Sequence, residues 1–112
     1  MKLAAVGLLA LMSLAALPSY AGVVTGHILA LYVRQSDGLV YFETDGVISD
    51  RAPCAASNNL WILPNENSDT SKRQYAALLM AKASNLPIEV YGYGTCTRWF
   101  NSEDVNIVIV RN

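Results

Sequence analysis

Beyond an apolar leader, a single stretch of this chain, residues 74–83, is rich in Ala, Leu, Met and Lys and free of Gly and Pro. It stands among short runs of β-branched and aromatic residues, so one helix set between groups of strands is expected. A lone amphipathic helix must bury its stripe, and in a chain of strands the partner available is a sheet. Tyr75, Leu78, Leu79 and Ala83 recur at helical spacing, which predicts that Leu78 and Leu79 pack against that sheet. Ser68 is the expected N-cap, with Asp69 in the first turn, where the helix dipole favours an anion. Asn85 is suited to the left-handed C-terminal position, and Pro87 prevents the helix from continuing.

The strands follow from alternation and turn residues. Residues 23–33 read as one long strand, and Ser36-Asp37-Gly38 marks a turn into a second strand over 39–44. Residues 59–63 form a short third strand, stopped by Pro64. After the helix, 87–93 and 105–110 read as the fourth and fifth. The predicted fold is mainly β with one helix, in the order β-β-β-α-β-β. That is the order of the OB-fold, a five-stranded Greek-key barrel. Closure would remove the exposed sheet edges, and the helix stripe would cap one end.

The leader defines the setting. Lys2 precedes an uncharged apolar run over residues 3–17, and Pro18-Ser19-Tyr20-Ala21 ends in small residues. This is the layout of a secretory signal peptide cleaved after Ala21, and the run is short for a membrane span of about 20 residues. Removing 21 of the 112 residues leaves 91, enough for one small domain over 22–112. The expected location is the periplasm or the outside of the cell, with no membrane attachment after cleavage. Losing Lys2 leaves seven basic against nine acidic residues. The chain therefore has no basic stripe for nucleic acid and no polybasic patch for lipid. Cys54 and Cys96 are the only thiols, and in an oxidising compartment they are expected to pair.

Residue patterns supply no catalytic constellation. His27 is the only histidine and sits mid-strand, so neither a zinc site nor a nucleophile–base pair is assembled around it. No phosphate loop, dinucleotide fingerprint or nucleophile elbow occurs. Glu103 and Asp104 are adjacent and so point oppositely on a strand, unlike a glycosidase carboxylate pair. No catalytic residue, metal or cofactor is assigned. Aromatic side chains are the remaining resource. Trp61 is expected in the core, Trp99 lies in a loop beside Arg98, and exposed tyrosines could stack on a sugar or mark a subunit interface.

Val40-Tyr41-Phe42, then Cys54 with Asn59-Leu60-Trp61, then residues 75–87 with Ile88-Glu89-Val90-Tyr91, are similar in order and spacing to the B subunits of subtilase-type and typhoid-type AB5 toxins. The same layout resembles small secreted bacterial proteins with Gly94-Thr95-Cys96-Thr97-Arg98-Trp99 near their end. The toxin resemblance implies a secreted OB-fold, a homopentamer and a sialylated-glycan ligand. The family's sugar-binding serine near the start of strand one corresponds to Thr25, which keeps the hydroxyl. Tyr32 and Tyr93 are the candidate stacking aromatics. This chain departs from the family at Met80-Ala81-Lys82, where the toxins carry aromatics. It departs again at Glu43 and Thr44, where the toxins carry the partner of the Cys54 equivalent. Two readings follow: a glycan-binding, toxin-B-like module, or a stand-alone exported OB-like protein of structural, stress or inhibitory role without a sugar site.

Overall fold

The computed structural model describes residues 20–112. Most of the expected leader therefore lies outside the described residues. Among the described residues six strands and one α-helix follow in chain order: β1 (Val23–Gly26), β2 (Ile28–Val33), β3 (Val40–Thr44), β4 (Trp61–Ile62), α1 (Asp69–Ala83), β5 (Ile88–Gly92) and β6 (Glu103–Val110). A short 3-10 turn spans Pro53–Ala55. All six strands join one mixed sheet in the order β1-β5-β6-β4-β3-β2, antiparallel throughout except for the parallel β4–β6 pair.

The expected five strands become six because the run over 23–33 breaks at His27. There the backbone leaves the ladder for the 45–46 turn: the His27 N–H donates to Asp45 Oδ1 at 2.7 Å, and the His27 carbonyl accepts from the Asp45 N–H at 3.0 Å. Gly26, which ends β1, and Ile28, which begins β2, are separated by His27 alone yet belong to strands at opposite ends of the sheet order. The remaining strands fall close to the sequence pattern, although β4 shrinks to two residues and β6 starts two residues earlier, at Glu103.

The helix forms as its caps dictate. The Ser68 hydroxyl accepts from the Ser71 N–H at 3.1 Å, and Asp69 occupies the first turn. Asn85 takes the left-handed conformation at φ 52°, and the Leu86 N–H closes the C-terminus on the Ala81 carbonyl at 2.9 Å. Leu78 is fully buried, but Leu79 is 44% exposed and does not pack as the periodicity suggests. The buried face runs through Ser71, Leu78 and Ala81, with Tyr75 half-buried beside it. The small side chains at Ser71 and Ala81 let the helix approach β6 and β2 closely, and this turns Leu79 outward. Phe42, Trp61, Leu63, Leu78, Ile88 and Val90 centre the core.

Cys54 and Cys96 are joined by a disulfide across Cα atoms 6.2 Å apart. Among the described residues no helix is long and apolar enough to cross a membrane.

Candidate functional site

The sheet register sets out two parallel rows of side chains, one on each face. Leu31, Phe42, Trp61 and Glu103 are successive partners across β2, β3, β4 and β6, and they face the core. Tyr32, Tyr41, Ile62 and Asp104 are the next partners along and face the other way. Two loops, 34–39 and 93–102, fold over this second row and leave an open pocket of about 90 Å³ between them. Tyr41, Leu60 and Ile62 form its floor, and Arg34, Leu39 and Trp99 form its walls.

Each wall is held by a carboxylate. In the first loop the Arg34 Nε and Nη2 donate to the two oxygens of Asp37 at 2.9 and 2.6 Å, and Asp37 Oδ1 also accepts from the Leu39 N–H at 3.1 Å. The bidentate bond from Arg34 holds the Asp37 carboxyl well below the usual carboxylate range. Gly38 closes the turn at φ 77°, a conformation in which a Cβ is strained.

In the second loop the organiser is Asp104, 1% exposed. Its Oδ2 accepts from the Thr95 and Thr97 hydroxyls at 2.7 Å each and from the Thr97 N–H at 2.9 Å. Cys96 lies between those two threonines, so the disulfide anchors the same loop. Arg98 then ties the walls together. It donates to Glu66 at 2.9 and 3.2 Å and to the Asp37 carbonyl at 3.1 Å. Its hydrogen bonds lower the Glu66 carboxyl below its ordinary value.

This scaffold delivers Trp99 to the mouth of the pocket. The Arg34 guanidinium lies 4.5 Å from the Trp99 ring centre and 6.0 Å from that of Tyr41. Tyr41 in turn stacks on Tyr32, with centroids 4.6 Å apart and rings 11° from parallel. Phe100 continues the surface beyond Trp99, tilted against it at 5.6 Å and 75% exposed. The result is a band of aromatic faces interrupted by one clamped guanidinium, suited to stacking on a flat or ring-shaped polar molecule. Among the described residues no cluster of His, Cys, Asp and Glu is arranged to hold a metal ion.

The residues singled out from sequence are scattered around this band. Tyr32 adjoins the pocket through Tyr41, and its hydroxyl donates to Glu43 at 3.2 Å. Thr25 is exposed on β1 opposite Glu89, which is engaged by Tyr91 and Arg111. Tyr93 is 57% exposed just beyond β5. None of the three lines the pocket. Sequence reasoning weighed Trp99 but missed Arg34, whose nearness to Trp99 exists only once two loops about 60 positions apart meet. The available signal was the Arg34-x-x-Asp37-Gly38 spacing of a charged turn.

No family model, curated protein or solved structure matches the chain.

Proposed function

We propose that this protein is an exported binding module that reads a glycan with the pocket between loops 34–39 and 93–102. The observation that carries this reading is the Trp99 ring held over a clamped arginine at the mouth of an apolar-floored pocket. An aromatic face stacks on the C–H face of a sugar ring, while the guanidinium offers donors to hydroxyl or carboxylate oxygens. The pocket admits part of one ring, so the rest of an oligosaccharide would lie along the Tyr32–Tyr41 stack.

The proposal includes the finer fold. We read β1 and β2 as one bent strand that closes the sheet into an OB-like barrel. In support, they are separated by His27 alone although they stand at the two ends of the sheet order, and β4 pairs with β6 in parallel. In such a barrel the two pocket loops are those that join strands one and two and strands four and five, the loops with which OB-folds bind oligosaccharides and oligonucleotides. The net charge of −1 argues for the sugar over the nucleic acid.

Titration with a sialylated oligosaccharide, followed by NMR shifts, tests the reading. Binding should perturb Trp99, Tyr41 and Arg34, and Trp99→Ala should weaken it by about tenfold or more, as truncation of an aromatic anchor costs upward of roughly 1 kcal/mol. Thr25→Ala, at the position implied by the toxin resemblance, should leave affinity unchanged. Shifts centred on Thr25 would move the site to β1. No binding at millimolar sugar would leave the stand-alone exported protein as the better account.

A further inference from the structure

We propose that cleavage after Ala21 creates a buried ion pair in the mature protein, between the new α-ammonium group of Gly22 and the carboxylate of Glu103. The inference rests on the leader being removed at that bond. Hydrolysis by a leader peptidase adds water across the Ala21–Gly22 amide, leaving a carboxylate on Ala21 and an ammonium on Gly22.

The receiving site is already shaped. Glu103 is fully buried, and its Oε2 accepts from the Gly22 N–H at 2.8 Å and the Gly94 N–H at 3.2 Å. Its Oε1 accepts from the Ala52 N–H at 2.9 Å. Among the described residues the one side-chain cation facing this carboxylate is Arg51, whose Nη1 stands 4.0 Å from Oε1. The other Arg51 nitrogens are committed to the carbonyls of Ala55, Asn58 and Leu60, and its guanidinium lies 4.4 Å from the centre of the Trp61 ring. Oε2, the oxygen that faces Gly22, therefore has backbone donors but no cation.

Gly22 is fitted to this place. A Cβ there would meet Glu103 Oε1 at 2.9 Å and the Trp61 ring at 3.0 Å. The Gly22 carbonyl accepts from the Gly92 N–H at 2.8 Å, so the residue stays docked whatever its nitrogen carries. Tyr20 and Ala21 are exposed, and their departure costs the core nothing while letting water reach the remaining ammonium protons. Replacing a neutral N–H with a charged donor at 2.8 Å from a carboxylate makes a shorter, stronger bond.

The exported protein is first checked by N-terminal sequencing. A start at any residue other than Gly22 overturns the proposal. Acetylation of the folded protein with an activated ester is then compared with the same reaction in urea. The Gly22 amine should react at least about tenfold more slowly when folded, since raising an amine's pKa by one unit lowers its reactive fraction tenfold. Lys72 and Lys82, both exposed, are internal controls that should change little. Equal Gly22 rates in the two states overturn the proposal. The Gly22 Cα resonance should titrate above the roughly 7.7–8.0 of an ordinary α-amine. A midpoint at or below that range means burial without pairing, and also overturns it. Glu103→Gln should return the midpoint and the labelling rate toward ordinary values, and the wild-type titration decides the matter even where that variant does not fold. None of these readouts depends on glycan binding.

Discussion

Glu103 and Asp104 stand side by side on β6, both essentially inaccessible to water, and each organises a different side of the sheet. The Glu103 side is made almost wholly of backbone: the N–H groups of Gly22 and Ala52, 81 and 51 positions away, converge with that of nearby Gly94 on one carboxylate, with a guanidinium beside it. A side chain at Gly92 would run into that carboxylate, so the site also sets what the neighbouring strand can carry. The Asp104 side is made of threonine hydroxyls and a single short loop, and beyond it lie half-exposed ion pairs. The first side joins distant parts of the chain and belongs to stability. The second shapes one loop and so belongs to the pocket. Burial alone does not distinguish them; what each carboxylate holds does.

Glu103→Ala is the harshest way to break this contrast. It leaves the Gly22, Ala52 and Gly94 N–H groups without their acceptor and the half-buried Arg51 guanidinium without its counter-charge, and should cost about 3–5 kcal/mol in urea unfolding. Removal of the disulfide by Cys54→Ala with Cys96→Ala comes next. The bridge spans 42 positions and links the segment beside Ala52 to the loop held by Asp104, so it couples the two sides. Its loss should cost about 4 kcal/mol in the chain-entropy treatment. Two alkylated cysteines in freshly purified native protein would show that the bridge is absent.

Asp104→Ala should cost less, about 1–3 kcal/mol, because its hydroxyl partners can turn to water. Its signature is local: the Thr97 amide should lose hydrogen-exchange protection and Trp99 fluorescence should shift, while the Glu103 side keeps its protection. Loss of protection on both sides would show that the two carboxylates act as one unit. The smallest effect concerns pH. Because Asp37 is depressed in the folded state, its contribution is present above the ordinary aspartate value near 3.9 and is lost as pH falls toward the depressed one. Asp37→Asn should therefore flatten the fall in unfolding midpoint between about pH 5 and pH 2. An unchanged slope would mean that Arg34 and Asp37 pair equally well in the unfolded chain.

Features set by neighbours in sequence were legible before the structure. Ser68 and Asn85 bound the helix because capping is local chemistry, and Cys54 and Cys96 pair because no other thiols compete. Trp61 is buried as its apolar neighbours suggest. What escaped the sequence depends on loops returning from afar. Adjacency says that Glu103 and Asp104 point to opposite faces, but not that Gly22 reaches Glu103 across 81 positions. Leu78 and Leu79 are equivalent by periodicity, and only the approach permitted by Ser71 and Ala81 chooses between them. His27 ends a strand because Asp45 captures its N–H, a competition that a propensity reading of residues 23–33 does not contain.

The sheet order also bears on how the chain becomes a protein as it emerges. β6, the last strand in chain order, lies between two blocks: β1 with β5 on one side, and β4, β3 and β2 on the other. A growing chain can form the β2–β3 hairpin early, but the blocks have no shared ladder until β6 inserts. Both buried carboxylates arrive with that strand, so the loops they gather remain open until then. Assembly is thus delayed by topology. A sheet whose central strand is made after its flanks closes through long-range pairings, and such closure is slow beside the local hairpin that precedes it.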